Sequence, residues 1–260
     1  IRRQRQMCIR DRFLTHGHDS NMGAVPDILE TCKDIPIYAT KLTLDILKNE
    51  LDSKDINKYK LNEIKPHTKI NFSKNSVFPI SVTHSIPDAV CYVLYTKDGA
   101  IVYTGDFTFD ATMTENYKTD IGKLAYVGKQ GVLCLLSESI YADRPGHTSP
   151  NNRCASFIRD VLEKNENRII ATIMPAHFYR IQEIFDEVSK THRKIVIMGK
   201  PLQQMISMAM KEGYLKINPA KIGDLSNVED HDSVILISDE KEKPFANLER
   251  IITVSYTHLT

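Results

Sequence analysis

Two histidines one residue apart, His16 and His18, stand in the stretch FLTHGHDSNMGA (13–24). On an extended segment, side chains two apart point the same way, so both imidazoles face one side. Neutral imidazole is the commonest protein ligand for zinc, and carboxylates complete such sites. Two further candidates follow apolar runs: His84 after ISVT and Asp106 after IVYTG. Taken singly, each histidine is more often a structural residue than a ligand. The combination says more, because an HxH pair, a histidine at a strand end and a TGD turn come in that order. All sit at element ends, where reacting groups gather on α/β scaffolds. Asp19, Ser20 and Asn21 follow the HxH pair. They are a poor set for finishing a two-metal centre, since neutral hydroxyl and amide groups replace carboxylate and imidazole badly.

The elements that must position these groups are legible in outline. MGAVPDILETC (22–32) carries apolar residues at helical spacing, PIYAT (36–40) reads as a short strand, and TKLTLDILKNEL (40–51) reads as an amphipathic helix. Leu44, Leu47 and Leu51 lie on one face of that helix. Residues 53–75 are polar and lysine-rich and read as short strands and loops. FPISVTH (78–84) is a strand ending at His84. AVCYVLYTKDGAIVYTGDF (89–107) is two strands around Lys97-Asp98-Gly99, a hairpin signal. GVLCLLS (131–137) is a continuous apolar run, expected to be a strand buried on both faces.

From about residue 140 the pattern changes. Ser149-Pro150 is expected to open a helix, with Phe157, Ile158, Val161 and Leu162 as its buried stripe. RIIATIM (168–174), KIVIMG (194–199) and SVILIS (233–238) read as strands. RIQEIFDEVSKTH (180–192) and PLQQMISMAMKEG (201–213) read as helices, the second stopped by Gly213. Strand alternating with helix argues for a parallel sheet. The chain is thus hairpin-rich α/β before about residue 140 and parallel α/β after it.

A chain of 260 residues with 42% hydrophobic content has material for one large domain or two smaller ones with a real core. Its net charge of +1 offers no global attraction for a polyanion, so any nucleic-acid site must be a local patch. The five cysteines, at 8, 32, 91, 134 and 154, form no CxxC pair. They read as free thiols in a reducing compartment rather than a disulfide framework. No apolar run is long enough to span a bilayer. IRRQRQMCIRDR, with five arginines in twelve residues, and the closing VSYTHLT resemble translated adaptor sequence. Residues 1–12 and 254–260 are therefore expected to be a non-native leader and tail; the alternative for the first is a basic arm that binds RNA.

Several stretches together resemble the ribonuclease J family, nucleases of the β-CASP group with the metallo-β-lactamase fold. They are FLTHGHDSNMGAVPDIL (13–29), VTHSIPDAV (82–90), IVYTGDFTFD (101–110), SESIYADRPGHTSP (137–150), RIQEIFDEV (180–188) and KEGYL (211–215). THSIPD and TGDFxFD are specific, whereas HxH alone is not. The resemblance runs over nearly all of 13–254. It implies a partial αββα sandwich of metallo-β-lactamase type over 13–140 and a partial parallel α/β β-CASP domain over 141–253, the chain being a fragment of a longer one. It also implies two metal ions, usually zinc, activating a water that attacks an RNA phosphodiester, with both 5′-to-3′ exonuclease and endonuclease activity.

Carried onto this chain, the family motif H-x-H-x-D-H keeps His16 and His18 but has Ser20 and Asn21 in its last two places. His84 matches the next ligand and Asp106 the metal-bridging aspartate. One ion position would use His16, His18, His84 and Asp106. The other would use Ser20, Asn21, Asp106 and a histidine beyond the chain, and is degenerate. A one-residue shift bringing Asp19 to the site is disfavoured, because at a helix start it turns the side chain by about 100°. Glu138 occupies the acidic position that opens the β-CASP part. Tyr179 stands where a histidine precedes the arginine, here Arg180, and His177 is a poor substitute two residues away. SDEKEKP (238–244) replaces a glycine-rich stretch with charges.

This erosion is similar to that of the family's second, catalytically weakened paralogue. Catalytic roles fall to Asp106 and His84. Ser85, Glu138, Arg144 and Arg180 are the expected RNA or phosphate contacts, although Glu138, Arg144 and Arg180 have ion pairing as an equal alternative. Ser85, Pro87 and Asp88 are expected to form a turn beside the site. Met205, Met208 and Met210 read as core packing, and His147, His192 and His231 as surface residues. The expectation is a cytoplasmic, RNA-processing hydrolase of weak activity, with one zinc position. The alternatives are an RNA-binding, non-catalytic partner subunit of an active paralogue, homo- or hetero-oligomeric, and a purely structural subunit.

Overall fold

The computed structural model describes residues 11–51, 56–110, 112–113, 115–140, 142–146, 154–238 and 248–249. Residues 1–10 of the expected leader, the expected tail, His147, Ser149-Pro150 and all of SDEKEKP after Ser238 lie outside the described residues. The chain divides into two compact units at Asn151/Asn152.

In the first unit, β1 (Arg12–Phe13), β2 (Ile37–Ala39) and β3 (Leu61–Glu63) form a parallel sheet in that order. A second sheet takes β4 (Ile70–Phe72), β5 (Asn75–Ser81), β6 (Val90–Thr96), β7 (Gly99–Tyr103) and β8 (Val132–Leu136). It is antiparallel as far as β7, and β8 pairs parallel with β7. The hairpin expected at Lys97-Asp98-Gly99 is the β6–β7 connection.

Strand β6 shows how the layers are made. Its side chains alternate with period two. Val90, Tyr92 and Leu94 join Val77, Phe72, Tyr38 and Phe13 in a core shared by the two sheets. Cys91, Val93 and Tyr95 point the other way, with Ile80 and Val102, onto Leu124 and Val127. Those two belong to a helix over Ile121–Gln130, which Asp120 caps by accepting the Lys123 N–H at 2.9 Å. Behind the first sheet, Ile37 and Ala39 are fully buried on the face of β2 opposite Tyr38. The helix over Lys41–Glu50 packs there against β3 with Leu42, Leu44, Ile46 and Leu47 buried. Leu51 is buried too, so the face read from Leu44, Leu47 and Leu51 is the packed one. The layers are helix, sheet, sheet, helix.

Two expectations about this unit change. The single helix expected over 22–32 is two: α1 (Asp19–Met22) and α2 (Val25–Thr31). Pro26 lies in the first turn of α2. Inside a continuous helix its ring would strike the carbonyl of Met22, so the chain restarts at Val25. The helices over Lys41–Glu50 and Ile121–Gln130 are then α3 and α4. The second change is β8, whose apolar run was expected to be covered on both faces. It is exposed throughout, with Leu133 at 61% and Leu135 at 62%. Among the described residues β8 is an edge strand paired only with β7, so neither face nor its free edge is covered. An apolar run marks a strand; its place in the sheet decides burial.

Among the described residues, the second unit is a parallel three-stranded sheet with helices. Its strands are β9 (Ile169–Thr172), β10 (Lys194–Met198) and β11 (Ser233–Ile237), in the order β10-β11-β9. Strand β11 is thus the central one among the described residues, and all five of its residues are buried. Val196, Ile235 and Ile237 form a core with Ile170 and Met198. The helices are α5 (Ala155–Lys164), α6 (Phe178–Ser189) and α7 (Lys200–Lys211). Helix α7 buries Leu202, Ile206 and Ala209, with Met205, Met208 and Met210 partly buried beside them. It stops before Gly213, whose φ of +80° ends the helical turn. The stripe expected for α5 is partly overturned: Leu162 is buried, but Phe157 is 69% exposed. Helix α5 meets α6 instead through a bidentate ion pair, Arg159 to Glu187, at 3.0 and 3.1 Å.

Candidate metal centre

Each candidate ligand is delivered by a backbone held on both sides. Beyond β1, Leu14 N–H donates to the Tyr38 carbonyl at 2.9 Å, and Val90 N–H donates to the Thr15 carbonyl at 2.9 Å. The Tyr92 hydroxyl, buried in the shared core, donates to the Leu14 carbonyl at 2.7 Å. Burial holds its phenol well above the ordinary tyrosine range. The chain is thus pinned between β2 and β6 just before His16, which is fully buried. His18 follows in extended conformation as the residue before α1.

His84 comes three residues after β5. Thr83 anchors it: its N–H donates to Thr119 Oγ1 at 2.8 Å, and Thr119 N–H donates to Thr83 Oγ1 at 3.1 Å. Asp106 follows Gly105, whose φ is +60°. A Cβ at Gly105 would lie 2.9 Å from the Thr15 Cβ, so glycine is required both for the turn and for the approach to the His16 strand.

The three imidazoles converge. One ring nitrogen of each of His16, His18 and His84 lies within 4.8 Å of the others. His84 Nε2 is 3.0 Å from His18 Nδ1. Ring centroids are 4.5 to 4.8 Å apart and the planes steeply inclined. Two nitrogens on one tetrahedral zinc would be about 3.3 Å apart, from zinc–nitrogen bonds of about 2.0–2.1 Å. The donor set therefore fits one divalent ion. Burial, then the neighbouring His84 and His18, push the His16 pKa down to about 3. The ring is neutral at ordinary pH, as a ligand must be. Asp106 joins at the His16 edge, with Oδ2 3.6 Å from His16 Nε2.

The residues expected at a second ion position do not fit an ion. The Asn21 amide nitrogen lies 3.0 Å from His16 Nε2, 3.4 Å from Asp106 Oδ2 and 3.2 Å from Ser20 Oγ. An amide –NH₂ is a donor only and cannot ligate a cation. Ser20 and Asp19 are exposed at the start of α1, and Asp19 is outside the converging donor group.

The remaining predicted residues are placed variously. Glu138 Oε2 accepts the Phe107 N–H at 3.3 Å, next to Asp106. Ser85 opens the turn that runs to Asp88, where φ is +58°. Arg144 is exposed in the first unit. Arg180 is in the second unit and pairs with Glu183 on its own helix. His177 is the residue before α6, and Tyr179 lies in its first turn. His192 and His231 are exposed, as expected of surface histidines. Cys32, Cys91, Cys134 and Cys154 are free thiols. Among the described residues, no helix is long and apolar enough to cross a membrane. The sequence reading missed the positioning hydroxyls Thr15, Thr83 and Thr119. Each of the first two is a threonine immediately before a candidate histidine, a signal available in the sequence.

Residues 166–260 match the family model described as ribonuclease J, beta-CASP domain. The chain is 36% identical over 251 residues to ribonuclease J2 of Bacillus subtilis (strain 168), covering 95% of this chain and 45% of that protein. It is 33% identical over 229 residues to ribonuclease J 2 of Staphylococcus saprophyticus, covering 87% of this chain and 41% of that one. It thus spans less than half the length of these curated relatives. Its fold is similar to a crystal structure of a protein of unknown function from Enterococcus faecalis V583, with a TM-score of 0.60 at 17% identity, covering 95% of this chain and 67% of that one. With a mixed α/β architecture, a β-CASP match and these relatives along nearly its whole length, the chain belongs to the ribonuclease J family.

Proposed function

We propose that the chain is part of a ribonuclease J-type protein of RNA processing and degradation, with one zinc position at His16, His18, His84 and Asp106 and weak hydrolytic activity of its own. The convergence of three ring nitrogens within 4.8 Å carries this reading. Zinc bound there would lower the pKa of its water towards 7 and neutralise charge on a phosphate. The chain's own groups do the rest. His16, kept neutral by burial, presents a lone pair. Asp106 beside it would complete the ligand set with one oxygen and offer the other as a hydrogen-bond acceptor to a water. Ser85, Glu138, Arg144 and Arg180 are the proposed RNA contacts. Scattered free thiols suit a reducing, cytoplasmic setting.

A second reading is favoured by Asn21. With an amide in place of the second ion's donors, the chain serves as an RNA-binding partner of an active ribonuclease J, in a homo- or hetero-oligomer. Zinc content and degradation of a 5′-labelled RNA decide between the two. Bound zinc, with slow cleavage abolished in His84→Ala, supports the first. RNA binding that weakens steeply with salt, without cleavage, supports the second. Neither zinc nor RNA binding rejects both and leaves a structural subunit.

A further inference from the structure

The hydrogen bonds around Asn21 form a closed circuit. Asp106 is a carboxylate and only accepts, so the group facing its Oδ2 at 3.4 Å must be the Asn21 –NH₂ and not its carbonyl oxygen. That orientation turns the same –NH₂ to His16 Nε2 at 3.0 Å, which must then be the unprotonated ring nitrogen. The proton of neutral His16 therefore sits on Nδ1, which faces Thr15 Oγ1 at 3.0 Å. With Nδ1–H donating to Thr15, the Thr15 hydroxyl is free to donate to Asn21 Oδ1 at 3.4 Å. The ring of Asn21, His16 and Thr15 is thus matched in one direction, and the second amide hydrogen is shared between Asp106 Oδ2 and Ser20 Oγ, the latter at 3.2 Å.

We infer that Asn21 is an internal substitute for a cation. Its amide bridges His16 Nε2 and Asp106 Oδ2, fixes the His16 tautomer, and holds the constellation together without metal. An ion entering the three-histidine position has to take the His16 lone pair from the amide. Asn21 therefore weakens metal binding at a site to which it contributes no ligand. This rests on the reading of His16, His18 and His84 as a metal position, but the amide circuit is measurable apart from it.

The test uses the metal-free 260-residue chain, zinc chloride and a competing chromogenic chelator. Asn21→Ala is expected to bind zinc about tenfold more tightly than the unaltered protein, the equilibrium equivalent of one charge-assisted hydrogen bond. Long-range ¹H–¹⁵N spectra without metal are expected to show His16 as a single Nδ1–H tautomer in the unaltered protein, and a tautomer mixture in Asn21→Ala. Equal zinc affinities would overturn the inference and leave the metal position standing. Weaker binding by Asn21→Ala would overturn it by making Asn21 a ligand. If neither protein binds zinc, the metal reading fails, and the spectra still decide the circuit. An Nε2–H tautomer in the unaltered protein, a measurement that needs no variant, would sink it.

Discussion

Nε2 of His84 lies 3.0 Å from Nδ1 of His18, although 66 residues separate them in the chain. Two ring nitrogens this close share a proton when no cation is bound and can share a cation when one is. Zinc affinity is therefore expected to fall at least ~100-fold in His84→Ala, beyond the ~10–100-fold typical of losing an outer partner of a ligand. Calorimetric titration of zinc into the metal-free protein checks it; an unchanged affinity would place the ion elsewhere.

Gly105 carries the contact between the Asp106 turn and the His16 strand. Adding a methyl group at φ +60°, 2.9 Å from Thr15 Cβ, meets a branch point and not a flexible tip. Gly105→Ala is expected to cost about 2–4 kcal/mol, combining left-handed backbone strain with overpacking. Urea unfolding measures it. A loss below about 0.5 kcal/mol, the size of an ordinary surface change, would mean the turn relaxes freely.

The Arg159 hydrogen bonds, then those of Lys190, hold the Glu187 pKa down to about 2 from an ordinary 4.5. A carboxyl depressed in the folded state contributes stability above pH 4.5. That contribution fades as pH falls from there to about 2, where the folded form also protonates. Arg159→Met should therefore lower the urea midpoint at pH 6 and differ little from the unaltered protein near pH 2. A deficit of equal size at both pH values would show that packing, not charge, joins α5 to α6.

Leu133 and Leu135 lie on an edge strand and are both more than half exposed. Exposed apolar strand edges pair with other chains. The 260-residue chain should self-associate with rising concentration, and Leu133→Glu with Leu135→Glu should reduce this. Light scattering decides, and equal association in both proteins would remove β8 as the cause.

Local patterning was enough for most elements. The β6–β7 hairpin, the α3 face of Leu44, Leu47 and Leu51, and the strand–helix alternation of the second unit follow from periodicity that neighbours in the chain impose on one another. Burial was less legible. VCYVLYT and VLCLL are both apolar, yet β6 is largely buried on its two faces and β8 on neither. Nothing within a five-residue run encodes whether a second sheet or a helix lies across it.

By itself the sequence offered the inventory of the candidate site: an HxH pair, a strand-end histidine, a TGD aspartate, and Ser20 and Asn21 as poor donors after the pair. Those are properties of residue type and order. Only the tertiary structure decided that the three rings meet, because His16 and His18 follow β1 and His84 follows β5, strands of two different sheets that face each other across a shared core. It alone decided which way the Asn21 amide faces, since that orientation is dictated by Asp106, 85 residues away along the chain.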